Sequence, residues 1–118
     1  MLSIENTNVS DAGLVHLQGL SRLQILFLDG SKVSGTGLVH LQGLGQMWFL
    51  SLNGTRLNDA GLVYLRAFPR LKLLDLSNTK VTDKAAEELH QAMPHCAIQR
   101  GKSMKFWRGR RSMEQWDE

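Results

Sequence analysis

One cysteine, Cys96, stands among the 118 residues, which excludes an internal disulfide framework and leaves no paired spacing for a metal. No run approaches the roughly 18 apolar residues that a membrane span needs. The opening Met1-Leu2-Ser3-Ile4-Glu5-Asn6 has neither a basic stretch nor a long apolar core, so it does not read as a secretory leader. These absences give the expectation of an intracellular chain, with the cytoplasm favoured, unless its natural start lies upstream. At this length and 42% hydrophobic content there is room for one small domain and not for two.

Net charge is also missing from most of the chain. Residues 1–99 carry eight basic and eight acidic side chains, and the whole excess of +3 falls after them. There Arg100, Lys102, Lys105, Arg108, Arg110 and Arg111 stand against Glu114, Asp117 and Glu118. The asymmetry divides the chain into a neutral body, 1–99, and an appended basic, aromatic-containing tail, 100–118. It argues against a basic binding face on the body.

What the body does contain is a period of 24 residues, repeated four times, with apolar side chains in the same slots each time. Ile4, Leu28, Leu52 and Leu76 form one column, and Val9, Val33, Leu57 and Val81 another. Leu14, Leu38, Leu62 and Ala86 follow, then Leu17, Leu41, Leu65 and Leu89. The column Leu2, Leu26, Leu50, Leu74 ends in Ile98, which starts a fifth turn. A fixed period of this length predicts a solenoid, whose units bury their apolar faces only by stacking on their neighbours. The expectation is four full repeats plus a terminal strand.

Within a unit, Leu26-Phe27-Leu28 alternates as a short strand, with Leu26 and Leu28 inward and Ile25, Phe27 and Asp29 outward. Gly30 permits the turn that follows. Thr7, Ser31, Thr55 and Thr79 then place a hydroxyl at one corner slot, suited to bonding backbone groups of the corner and of the neighbouring coil. Ser10, Ser34, Asn58 and Thr82 are good helix N-caps, and Asp11, Asp59 and Asp83 follow them at the favourable end of a helix. Leu14, Leu17 and Leu20, three apart, give that helix its buried stripe. Gly19 and Gly43 stand where a left-handed cap would end it. Parallel strands joined in this way predict an α/β architecture with one curved sheet inside and helices outside.

The last unit departs from the pattern. Ala85 replaces the glycine of positions 13, 37 and 61, Glu87, Glu88, His90 and Gln91 make its helix more polar, and Pro94 stops it. A polar outer face is what an exposed solenoid end requires. The front has no such cap, since Met1 already falls in the first strand. The expectation is therefore that another chain covers this edge by self-association, or that the chain is part of a longer protein.

These columns resemble the leucine-rich repeat family in its 24-residue, bacterial-type form, whose units read like Leu-x-x-Leu-x-Leu-x-x-Thr-x-Val-x-Asp-x-Gly-Leu-x-x-Leu. Leu71 through Leu89 matches that pattern except at Ala85 and Ala86, and the likeness covers residues 1 to about 99. The resemblance implies a right-handed superhelix of the ribonuclease-inhibitor horseshoe type, with a parallel concave sheet and convex helices. It implies recognition of other macromolecules through that sheet, and no enzyme. It also implies that Met93-Pro94-His95-Cys96-Ala97-Ile98 is a last-repeat ending, with Cys96 structural, and that Thr7, Ser31, Thr55 and Thr79 occupy a structural corner ladder.

The outward strand positions are the candidate binding residues. Ile25, Phe27, Phe49 and Leu73 predict a contiguous apolar patch, Ser51 lies among them, and Asp29, Asn53 and Asp75 edge it. An apolar centre with a polar rim is the anatomy of a protein-binding site; the alternative is that bulky side chains on a curved sheet bury one another. Trp48, one slot before the strand, either extends the patch or covers the Met47 side of the stack.

Other chemical signals are weaker. His16 and His40 share a helix slot one period apart, yet no neighbouring slot supplies the further ligands of a closed zinc site. His90, His95 and Cys96 lack the orienting group and cleft of a nucleophilic pair. Lys32, Arg56 and Lys80 form a basic column that reads as a solvated edge beside the acidic residues at 11, 59 and 83. In the tail, Lys105, Trp107, Arg108, Arg110 and Arg111 interleave with Phe106, a composition suited to single-stranded nucleic acid or an anionic surface, and equally to covering the end of the core. The reading that follows is a non-enzymatic module without a cofactor, binding a protein or peptide ligand. Nucleic-acid or anionic-surface binding through the tail is the alternative, and a fragment of a larger repeat protein a third.

Overall fold

The computed structural model describes residues 1–3 and 9–101. Five short strands form one parallel sheet: β1 (Leu2–Ser3), β2 (Ile25–Phe27), β3 (Phe49–Ser51), β4 (Leu73–Asp75) and β5 (Ala97–Gln99). They lie in chain order, β1-β2-β3-β4-β5. Residues 24 apart are partners throughout: Leu2 pairs with Leu26, Leu26 with Leu50, Leu50 with Leu74 and Leu74 with Ile98. From β2 to β5 each connection carries a helix, and helices of neighbouring units pack on one another, giving an α/β fold with a sheet layer and a helical layer.

The core lies between the layers. Leu26, Leu50, Leu74 and Ile98 from the strands meet Leu14, Leu38, Leu62 and Ala86, and Leu17, Leu41, Leu65 and Leu89, from the helices, all of them buried. Pairing runs past the strands into the corners, where the Gly30 and Gly54 N–H groups donate to the Asn53 and Ser77 carbonyls at 2.8 and 3.0 Å. Gly30, Gly54 and Asn78 share that corner slot with φ of 71°, 74° and 58°, the left-handed region that glycine and asparagine tolerate best. One residue on, Ser31, Thr55 and Thr79 donate to the carbonyls of Leu28, Leu52 and Leu76 at 2.8, 2.8 and 2.7 Å. The hydroxyls thus close their own corner rather than reach the neighbouring coil. Thr7 lies outside the described residues.

The helical layer corrects several expectations. Asp11–Leu17, Gly35–Leu41 and Asp59–Ala67 are 3₁₀ helices, and among the described residues only α1 (Asp83–Ala92) is α. A 3₁₀ turn holds three residues, so apolar side chains three apart eclipse on the buried side, and a glycine in each of the three segments lowers α propensity. The last unit replaces that glycine with Ala85 amid good helix formers. Thr82 caps α1, its Oγ1 accepting from the Ala85 N–H at 3.2 Å, whereas Ser10, Ser34 and Asn58 make no side-chain cap. Gly19 and Gly43 are not left-handed; the 3₁₀ segments before them end in right-handed backbone at Gln18 and Gln42. Leu20 is 43% exposed although its counterparts Leu44 and Phe68 are buried.

The aspartates tie units together. Asp11 accepts from the Ser34 N–H at 2.7 Å, from the Ser34 hydroxyl, and from the Thr36 hydroxyl at 2.9 Å. Asp59 does the same for the Thr82 N–H and hydroxyl at 2.8 and 2.9 Å. Burial pushes the Asp11 carboxyl pKa up, but the donors from Ser34, Thr36 and Gly37 outweigh it and hold the pKa below the usual carboxylate value. Between the second and third units Gly35 takes the aspartate slot, and the two backbones come together instead: a Cβ on Gly35 would stand 2.3 Å from Gly61 Cα.

Candidate functional site

The sheet face turned away from the helices is set by alternation along three-residue strands. In β2 and β4 the central leucine is buried and its two neighbours are half-buried. Register then assembles two rows. Ile25, Phe49, Leu73 and Ala97 are successive partners, as are Ser3, Phe27, Ser51, Asp75 and Gln99. Phe27 and Phe49 meet edge to face with ring centroids 5.1 Å apart, and Trp48 lies 6.0 Å from Phe49. Edge-to-face contact places the positive ring edge on the negative face and adds about 0.5–1.5 kcal/mol to area burial, so the pair forms a fixed platform.

The outward residues are therefore brought together, and their exposure is graded. Ile25, Phe27, Phe49 and Leu73 are half-buried, each partly covered by the next. Ser51 corrects an expectation: placed with the outward candidates, it is 2% exposed. A serine between the larger partners Phe27 and Asp75 is overshadowed by them. Trp48 is 39% exposed and stacks at the edge of the platform, so it extends the apolar surface.

The two ends of this face differ in charge. Where the strands end, Asp29, Asn53 and Asp75 are half-buried, Asn53 donating to Asp75 at 3.4 Å and Asn78 to Asn53 at 3.0 Å. Asp75 also accepts from the Ser77 N–H at 2.9 Å, while Asp29 Oδ1 is covered and has no hydrogen-bond partner. Where the strands begin, an open groove of about 710 Å³ is lined by Gln24, Gln46, Trp48, Pro69, Arg70 and Lys72. The sequence marked Trp48 but not this groove, because Pro69 and Arg70 enter it from the loop before β4. Lys32, Arg56 and Lys80 lie past the corner, on the segments that bond back to Val9, Val33 and Leu57, and are not part of the face.

Among the described residues no group of three or more His, Cys, Asp or Glu side chains is placed to hold a metal. His40 Nδ1 stands 3.2 Å from Gln18 Nε2. His90 Nδ1 donates to the Cys96 carbonyl at 3.1 Å, not to its sulfur. Burial pushes the Cys96 thiol up to about 12, the reverse of what an activated cysteine needs. Lys105, Trp107, Arg108, Arg110 and Arg111 lie outside the described residues. No described helix is long and apolar enough to cross a membrane. The chain matches no protein-family model, and no curated protein matches it.

Proposed function

We propose that this chain is a leucine-rich repeat solenoid and a recognition module, binding a protein or peptide segment across the sheet face. The horseshoe form, with the sheet concave and the helices convex, belongs to the same proposal. The observation that carries it is the Phe27–Phe49 platform, flanked by Ile25 and Leu73, extended by Trp48 and edged by Asp29, Asn53 and Asp75. Aromatic residues held rigid by one another lose little freedom on binding, and a polar rim supplies orientation; binding energy concentrates on such anchors. Recognition rather than catalysis is the role of a face built this way.

The test is a displayed peptide library selected on the full chain, followed by affinities for Phe49→Asp, Phe27→Asp and the helix-side control Gln42→Asp. Either face variant is expected to weaken selected peptides at least about ten-fold, or about 1.4 kcal/mol, with the control unchanged. Circular dichroism melts verify that the variants remain folded. Folded Phe27→Asp and Phe49→Asp chains that bind as tightly as the parent would remove the sheet face from the function.

A further inference from the structure

The face is polarised: carboxylates at the strand ends, an apolar platform in the middle, and a groove with Arg70, Lys72 and an exposed tryptophan where the strands begin. A fitting peptide is cationic at one end, anionic at the other, and carries apolar side chains for the platform. One segment of the chain itself has that polarity. Its first part is cationic, Lys102, Lys105, Arg108, Arg110 and Arg111 with Phe106 and Trp107 among them, and its last part is anionic, Glu114, Asp117 and Glu118 interleaved with Met113 and Trp116.

The starting point of that segment also fits. Arg100 is bound to Asp83 and to the Val81 carbonyl, and the Gly101 N–H donates to Ser77 Oγ at 2.9 Å. Ser77 follows Asp75 at the strand ends, so the last described residue, Gly101, stands at the carboxylate rim and a segment leaving it need not cross the sheet to bring cations there. Strands lie about 4.8 Å apart, so β2 is roughly 14 Å from β5, while 17 extended residues span up to about 56 Å. The neutral charge of residues 1–99 concentrates the attraction on local groups, here the half-buried carboxylates Asp29 and Asp75.

We propose that residues 102–118 are an internal ligand of this sheet face, their cations over Asp29 and Asp75 and their acidic end toward Arg70 and Lys72, so that the chain competes with any external peptide for its own recognition surface. The inference rests on the reading of the face as a peptide-binding surface. Tethering makes occupancy easy: at an effective concentration of about 1 mM, even an intrinsic dissociation constant of about 0.1 mM fills the face about nine-tenths of the time. External peptides then bind about ten-fold more weakly than to a free face.

The experiment uses the full chain carrying a nitroxide on Ser112→Cys, with buried Cys96 protected from the label. Amides of Phe27, Phe49 and Leu73 are expected to broaden more strongly than those of Leu14 and Leu38 one layer behind them. The triple variant Arg108→Glu, Arg110→Glu, Arg111→Glu is expected to abolish the broadening and to tighten a library-selected peptide about ten-fold. Broadening that is absent, or that appears only when labelled chains are mixed with isotope-labelled unlabelled ones, overturns the proposal, the latter in favour of a second copy. If external peptides bind the face while the label finds nothing, this inference alone fails; if Phe49→Asp changes neither readout, the face reading fails as well.

Discussion

Placing alanine at Gly61 tests how closely the second and third units approach. A Cβ there would stand 2.5 Å from Gly35 Cα and 2.7 Å from Leu57 Cδ1, where carbon atoms rest at about 3.5–4.0 Å. Backbone cannot swing aside as a side-chain tip can, so the two 3₁₀ helices must separate by about 1 Å and loosen the leucines beneath. Overpacking of this kind costs about 1–3 kcal/mol, and alanine returns up to about 1 kcal/mol of helical preference. The net expectation is a loss of about 1–2 kcal/mol, or roughly 5–15 °C in Tm for a domain of about 100 residues. Gly43→Ala is the control, since a Cβ there meets nothing within 4 Å; it is expected to be neutral or stabilising by less than about 1 kcal/mol. Urea melts followed by circular dichroism measure both. Gly35→Ala should resemble Gly61→Ala, and the double variant should lose less than the sum by at least about 0.5 kcal/mol, because one separation accommodates both methyl groups. Gly61→Ala matching Gly43→Ala in stability would refute the close approach and with it the packing described for these units.

Asp11→Asn is expected to cost about 1–3 kcal/mol at pH 7, through weaker acceptance from Ser34 and Thr36. Because the folded pKa of Asp11 lies below the ordinary 3.8, that stability is present above 3.8 and is lost as pH falls through the lower folded value, so urea melts of parent and variant should converge in strong acid. Cys96, its thiol pushed up to about 12 by burial, should resist a thiol reagent at pH 8 in native protein and react once urea unfolds the chain; rapid native labelling would contradict its burial. The library selection and the nitroxide measurement described above test the recognition face and its internal ligand.

The 24-residue period determined the register. Partners across every strand pair are 24 apart, and the alternation within each strand placed Leu26, Leu50 and Leu74 inside and Ile25, Phe49 and Leu73 outside. This much is local: pleat and hydrophobic burial act on neighbours in sequence, and a repeated unit repeats the answer. The 3₁₀ form was not read from the sequence: leucines three apart and a glycine in each segment suit it, but the capping residues pointed to ordinary helices.

Tertiary structure decided everything that depends on how far one unit stands from the next. The aspartates at positions 11 and 59 looked like companions of a helix start, but the next unit brings Ser34 and Thr82 within their reach. Gly35 looked like a lapse in the aspartate column and is the contact that lets Gly61 approach. Ser51 reads as surface in sequence and is covered by the larger partners beside it. Leu20 reads as core and is 43% exposed. Register is a property of the repeat; burial and reach belong to the spacing between repeats, which no single unit encodes.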